Sequence, residues 1–484
     1  MSQLEENVVA NRGVSRRSVL ITIAGTTLLG GCMARQSSVS RHLPSFLDEQ
    51  QPEGEWPDVR VAYLRPREDY WLGWPGTAWK PREFRRDSRG MVEGFGREVK
   101  VRTDFESDPL YDEAAVAKFI ASVQADKPRA VLLFPLHMNQ WRNVGEIASK
   151  CGAPTIVFAP LGVCFTGHIQ QISKQPGVYL ASCADFDLDP VRFGLKMVRA
   201  NHDIRRTRIA VLVRNESRDE TLEPLGVQIR YLPRSRFPET LKTIEEADAV
   251  RQVAEEYRRA ARRIVEPTHK DMINASKNYF AALKIMEEEA CQGISMDCLG
   301  LVYGREIPCP PCLAWSKLLD AGIPGVCEAD INAVMSNTLC CRLLDKPGFM
   351  QDPVPNTVDN TFIGAHCVCP TRLNGYHGPR ETFDLRSHAE SDLGVVFQVI
   401  WKPGQDVTIM QCVGPGKMIL GEGKVLRNHT NPPAGGCRTS VELEIDGPPD
   451  TRDTKGFHQL FIYGRHQRDF EAYGQMYGIA TEHI

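Results

Sequence analysis

Gly322-Ile-Pro-Gly-Val-Cys-Glu-Ala-Asp330 is the stretch around which the chain can be organised. Its apolar centre, Ile323 to Cys327, runs directly into Glu328 and Asp330. Before it, Cys312 to Asp320 has the length of a short helix, with Pro310 and Pro311 suited to start it and Gly322 to end it. After it, Ile331, Val334, Met335, Leu339 and Leu343 recur at helical spacing. The pattern predicts a buried strand between two helices, with two carboxylates where the strand ends. In open α/β sheets that edge is where ligands bind. Asp330 has a second reading, as the N-cap of the helix that begins at Ile331, and the local pattern leaves both open.

Upstream, Gly293-Ile-Ser-Met-Asp297-Cys298-Leu-Gly300 reads as another strand ending in a carboxylate, and Val178–Leu180, Ile209–Val213 and Val227–Tyr231 as further strands. The runs 245–265 and 273–289 read as long amphipathic helices. Together they predict an α/β unit over residues 176–355. An earlier unit, 56–175, is predicted from Val59–Leu64, Val99–Thr103, Ala130–Phe134 and Thr155–Phe158, with a helix near 113–124. Strands alternating with helices imply Rossmann-like parallel sheets. The irregular segment Tyr70–Trp79, with three Trp and one Pro, suits either a sugar-stacking wall or cover for a domain edge. Downstream, over 356–484, the pattern changes to β-type runs at 395–401, 407–411, 417–427, 439–445 and 460–463, parted by Gly, Pro and Asn, with a closing helix at 469–477. That alternation predicts a β-rich, barrel-like C-terminal domain.

A chain of 484 residues needs more than one core. Lys plus Arg number 58 against 61 Asp plus Glu, so there is no basic excess to recruit nucleic acid. At the N-terminus, Ser15-Arg16-Arg17-Ser18-Val19-Leu20 opens an apolar run that ends at Leu29, too short to span a membrane. It resembles a twin-arginine export signal, and Leu29-Gly30-Gly31-Cys32 resembles a lipobox. Residues 1–32 are therefore predicted to be a signal. Cys32 would carry a lipid that tethers the protein to the periplasmic face of a membrane, and 33–55 would form a flexible linker.

The chain has 15 cysteines, among them Cys309-Pro-Pro-Cys312, Cys340-Cys341 and Cys367-Val-Cys369. In an exported protein such thiols can pair, and a Cys-x-x-Cys at a helix start can serve redox chemistry or bind zinc. Most lie within apolar element patterns, where a thiol behaves as a small hydrophobe.

Two α/β units followed by a β-rich domain resemble the L-fucose isomerase and L-arabinose isomerase group. Cys327-Glu-Ala-Asp330-Ile-Asn332 is similar to the place where those enzymes offer a metal-binding aspartate. Phe457-His458-Gln-Leu-Phe-Ile-Tyr-Gly464-Arg-His466 is similar to the segment that carries their histidine ligand, and Phe383–Ser391 and Gly404–Thr408 resemble blocks of the family's C-terminal sheet. The resemblance implies an aldose–ketose isomerase acting on a small sugar through an enediol. It also implies a divalent cation, Mn2+ by the hard donor set, and a homo-oligomer. By the same resemblance Asp297, Asp330 and His458 would be metal ligands, and Asp297 and Asp330 would also take part in the proton transfer. The family carries a glutamate at the position assigned to Asp297, which is one methylene shorter, so Glu306 competes for that role. A carbohydrate-binding lipoprotein that retains the fold without turnover is the alternative. His366 and His168, each beside apolar residues, stand as candidate ligands or core histidines.

Overall fold

Residues 55–68, 80–184, 187–213, 215, 217–429, 437–447 and 450–484 are described by the computed structural model. The export signal with Cys32, the linker as far as residue 54 and the aromatic segment 70–79 lie outside the described residues.

β1 (Asp58–Leu64), β2 (Arg102–Phe105), β3 (Ala130–Pro135), β4 (Thr155–Pro160) and β5 (Val178–Cys183) form an all-parallel sheet in the order 2-1-3-4-5. β3 and β4 are buried at every position, as expected of strands covered by helices on both faces. Residues 99–103, whose alternation predicts a strand, are instead divided between the helix Pro81–Val99 and β2, with Lys100 closing the helix at φ 58°. Val178–Leu180, which the sequence places in the second unit, belongs to the first sheet and runs parallel to β4.

The second sheet combines β6 (Arg208–Leu212), β7 (Arg218–Leu222) and β8 (Val227–Leu232) with two later strands. A two-residue β9 (Arg263–Ile264) precedes β10 (Gly293–Met296) and β11 (Gly325–Cys327), and the order is 11-10-6-8-7. β7 runs antiparallel to β8 and makes the edge, so this sheet is parallel except at one margin. The helix Cys312–Asp320, β11 and the helix Ile331–Leu344 follow one another as the organising stretch predicts. Pro311 caps the first of these helices, and two left-handed residues, Glu328 and Ala329, make the turn into the second.

The C-terminal part contributes β12 (Phe349–Asn356), β13 (Thr361–His366), β14 (Phe383–Arg386), β15 (Val396–Val399), β16 (Asp406–Cys412), β17 (Lys417–Asn428), β18 (Thr439–Asp446), β19 (Gln459–Tyr463) and β20 (Ala480–His483). Six of them close an antiparallel barrel in the order 16-19-12-13-18-17, with β17 pairing back onto β16. The first barrel strand therefore starts at Phe349, inside the segment that the sequence assigns to the second unit. Its prolines are tolerated because pairing with β19 ends at Gln351, which leaves an open edge beside Pro353 and Pro355. Phe349, Phe362, Phe461, Trp401 and Tyr463 pack ring against ring in this part of the core, Trp401 meeting Tyr463 edge-on at 4.8 Å. A side chain at Gly364 would run into the Phe461 ring, so β13 needs glycine there.

Two attachments hold the C-terminal part to the elements around the second sheet. The helix Ile331–Leu344 is fastened to the barrel by hydrogen bonds from the Cys412 amide to Ser336 Oγ (2.8 Å) and from the Gly414 amide to Asn332 Oδ1 (3.0 Å). β14 pairs with β9, and buried Asp384 accepts hydrogen bonds from Arg262 Nε (2.8 Å) and Arg263 Nε (3.1 Å). Among the described residues no helix is long and apolar enough to cross a membrane.

Candidate metal centre

β11 delivers its acids to the mouth of the barrel. Asp330 meets two partners with one carboxylate. Oδ1 accepts from the Ala333 amide at 2.8 Å, which is the N-cap, and Oδ2 lies 2.8 Å from His458 Nδ1. His458 precedes β19 in a left-handed conformation, φ 55°. Its turn is held by Gln411, whose side-chain amide accepts from the Phe457 N–H (3.1 Å) and donates to the Phe457 carbonyl. The exposed ring of Phe457 stacks on the imidazole at 4.2 Å. Three non-glycine residues with positive φ, Glu328, Ala329 and His458, thus surround one spot. Each such conformation costs of order 1 kcal/mol or more and is a common property of functional sites.

The other nitrogen of His458 faces two more acids: Nε2 is 3.1 Å from Asp352 Oδ1 and 3.5 Å from Glu328 Oε2. The second oxygen of Glu328 lies 3.5 Å from His366 Nε2, so this carboxylate bridges two imidazoles whose rings meet edge to face at 5.7 Å. One ligand atom from each of Glu328, His366 and His458 falls within 4.8 Å of the other two. Both imidazoles are buried, whereas the Glu328 and Asp352 side chains are 34% and 37% exposed, so the cluster opens to solvent on its acidic side.

Charge explains the titration behaviour. Burial favours neutral rings, but hydrogen bonds to Asp330 and Asp352 and the charge of Glu328 outweigh it and raise His458 to about 9. His366 is raised against its burial by contact with Glu328 and by the charges around it. Burial likewise opposes ionisation of Asp330, yet hydrogen bonds from His458 and the Ala333 amide hold it below the usual carboxylate value. Three carboxylates around two imidazoles call for positive charge, which protons or a cation can supply. A cation fits on geometry. Two donors each about 2.1 Å from one ion sit roughly 3.0–3.5 Å apart, close to the separations found here. His366 Nδ1, moreover, is buried with no hydrogen-bond partner among the described residues. One carboxylate and two imidazoles, with further carboxylates at hand, suit Mn2+, Fe2+ or Zn2+.

The structure brings Asp330, His458 and His366 together. It gives Asp297, at the end of the neighbouring strand, other partners: Oδ1 caps its own helix through the Gly300 amide (3.2 Å) and Oδ2 pairs with Arg234 (2.8 Å). Glu306 approaches the same arginine at 3.6 Å and lines a cavity of about 1020 Å³ together with Tyr303 and Glu390. His168 accepts from the Phe165 amide at 3.1 Å and stacks on Trp141, which makes it part of a helix start. Asp352 is a residue that sequence reasoning missed, because it lies in a proline-interrupted strand that carries no β signal. Glu328 was visible at a strand end, but nothing in its spacing separated it from Asp330.

No protein-family model matches the chain, and no curated protein does. Among solved structures, an ABC transporter periplasmic solute-binding protein from Actinobacillus succinogenes with bound D-allose aligns at 11% identity over 52% of this chain and 84% of its own. The TM-score is 0.18, too low to carry an argument.

Proposed function

We infer that this protein is a divalent-metal-dependent aldose–ketose isomerase of small sugars, exported and tethered through Cys32. The observation that supports this reading is the convergence of Glu328, His366 and His458 beside Asp330 and Asp352 at the junction of sheet and barrel. Glu328, His366 and His458 would hold the cation. A bound Mn2+ supplies Lewis-acid stabilisation of the negative charge that an enediol places on two adjacent sugar oxygens. Asp330 fixes the tautomer and direction of His458 through Nδ1, leaving Nε2 as the ligand atom. With both its oxygens committed, Asp330 is a positioning residue. Proton transfer between the two carbons then falls to Asp352, which is neither a helix cap nor an arginine partner and faces the solvent side.

The test is to incubate the Mn2+-loaded protein with a panel of pentoses and hexoses in D2O and follow them by NMR. The reading requires aldose–ketose interconversion with deuterium entering at the carbon that exchanges its proton. A second reading, a sugar-binding protein without turnover, is favoured by the engagement of Asp297 with Arg234, which neutralises the acid that the isomerase resemblance assigns to catalysis. Saturable sugar binding with no exchange would select it, and neither binding nor exchange would end both. The export route is checked by Arg16→Lys with Arg17→Lys, which should leave the precursor unprocessed.

A further inference from the structure

A second group of donors lies close to the first and differs in chemistry. Cys312, Cys367 and His388 are all buried, and one ligand atom from each lies within 4.8 Å of the other two. Cys437 adds a fourth donor, its Sγ being 3.3 Å from Cys367 Sγ. The four come from separate places: the first turn of the helix Cys312–Asp320, the residue after β13, the loop after β14, and the residues before β18. His388 is already oriented, because Ser391 Oγ lies 3.1 Å from Nδ1 and leaves Nε2 as the available ligand atom. Cys309, the other half of the Cys-x-x-Cys motif, takes no part; its sulfur accepts from Asn278 Nδ2 at 3.5 Å.

We propose that Cys312, Cys367, Cys437 and His388 bind a thiophilic divalent cation, with zinc as the reference ion. Zinc takes three thiolates and one imidazole in closed structural sites. Sulfurs bound to one zinc at about 2.3 Å stand roughly 3.8 Å apart, nearer to the observed 3.3 Å than the ~2.05 Å of a disulfide is. Binding sends the thiol protons to solvent and changes no oxidation state. The donor sets divide the two clusters by ion preference: oxygen and imidazole suit Mn2+, whereas thiolate and imidazole select Zn2+ or Co2+. Because Cys367 follows His366 directly, the softer site would brace one of the chain segments that carry the harder one.

The experiment is to prepare the full-length protein under reducing conditions, remove its metals and titrate it with Co2+. The expected result in the unaltered protein is a thiolate-to-cobalt charge-transfer band in the near ultraviolet that saturates at about one equivalent and is abolished by one equivalent of Zn2+. His458→Ala should retain that band, which separates this site from the one proposed for catalysis. Cys312→Ser and Cys367→Ser should each lose it. Cys340→Ser, which changes a buried thiol elsewhere, should keep it. Absence of the band in the unaltered protein would overturn the proposal even if the variants fail to fold. So would a Cys367–Cys437 disulfide, seen as a thiol count lower by two with no cation retained.

Discussion

β10 and β11 lie side by side in the second sheet, Met296 opposite Cys327, and each runs into acidic residues and then a helix. The two strand ends share the same local design, down to an aspartate that caps the following helix: Asp297 accepts from the Gly300 amide and Asp330 from the Ala333 amide. They differ in what approaches the second oxygen. At β10 it is Arg234, a cation that cannot lose its proton, and the acid is neutralised where it stands. At β11 it is His458, whose other nitrogen remains in play, with Glu328 and Asp352 adding charge that no arginine cancels. The same aspartate cap thus accompanies a structural ion pair in one place and a candidate metal centre in the other. The difference comes from Glu328 at the strand end itself and from Arg234, His458 and Asp352, which are distant in sequence.

The sharpest way to break this comparison is His458→Ala. Removal of a ligand atom is expected to weaken Mn2+ binding by at least about 100-fold, read by isothermal titration, whereas Asp297→Ala should shift it less than about twofold. Next in size is Asp330→Asn, which keeps an N-cap because Asn caps as well as Asp but withdraws the charge that orients His458. Affinity for Mn2+ should fall about 10- to 100-fold while the denaturation midpoint barely moves; a large loss of stability with unchanged affinity would make Asp330 a cap and no more.

Asp384 gives the measure of a purely structural acid. It is fully buried, and the hydrogen bonds from Arg262, set against desolvation and joined by those from Arg263, lower it to about 2. The folded value lies below the unfolded one of about 3.9. Its contribution, about 2 kcal/mol, is therefore complete above that value and vanishes as pH falls through about 2. Asp384→Asn should destabilise the protein at pH 7 by about that amount, and the gap from the unaltered protein should close between pH 4 and pH 2. The smallest effect belongs to Asp297→Asn, which retains the cap and loses a half-exposed pair with Arg234, within about 1 kcal/mol of stability and with no change in Mn2+ affinity.

What was legible in the sequence was what local chemistry decides. The helix–strand–helix around residues 322–330 can be read because proline, glycine and apolar spacing all act within a few residues of one another. The helix Pro81–Val99 escaped because its buried stripe, Phe84, Ser88, Val92 and Gly96, uses a hydroxyl and a glycine where periodicity looks for hydrophobes. β12 escaped because its two prolines speak against a strand unless the open edge is known. The pairing of Asp330 with His458 was legible through the resemblance of two short blocks. The meeting of Glu328, Asp352 and His366 at one spot was not, although His366 stood as a candidate ligand, since it depends on how β11, β12 and β13 meet. Cys312, Cys367, His388 and Cys437 share no spacing that a sequence pattern could hold.

The central claim is that one divalent cation is held by Glu328, His366 and His458. Pulsed electron paramagnetic resonance of the unaltered protein carrying one equivalent of Mn2+ tests it most directly. The expected spectrum shows modulation from two imidazole nitrogens, reduced to one in His366→Ala. A spectrum indistinguishable from hydrated Mn2+ in buffer would contradict it.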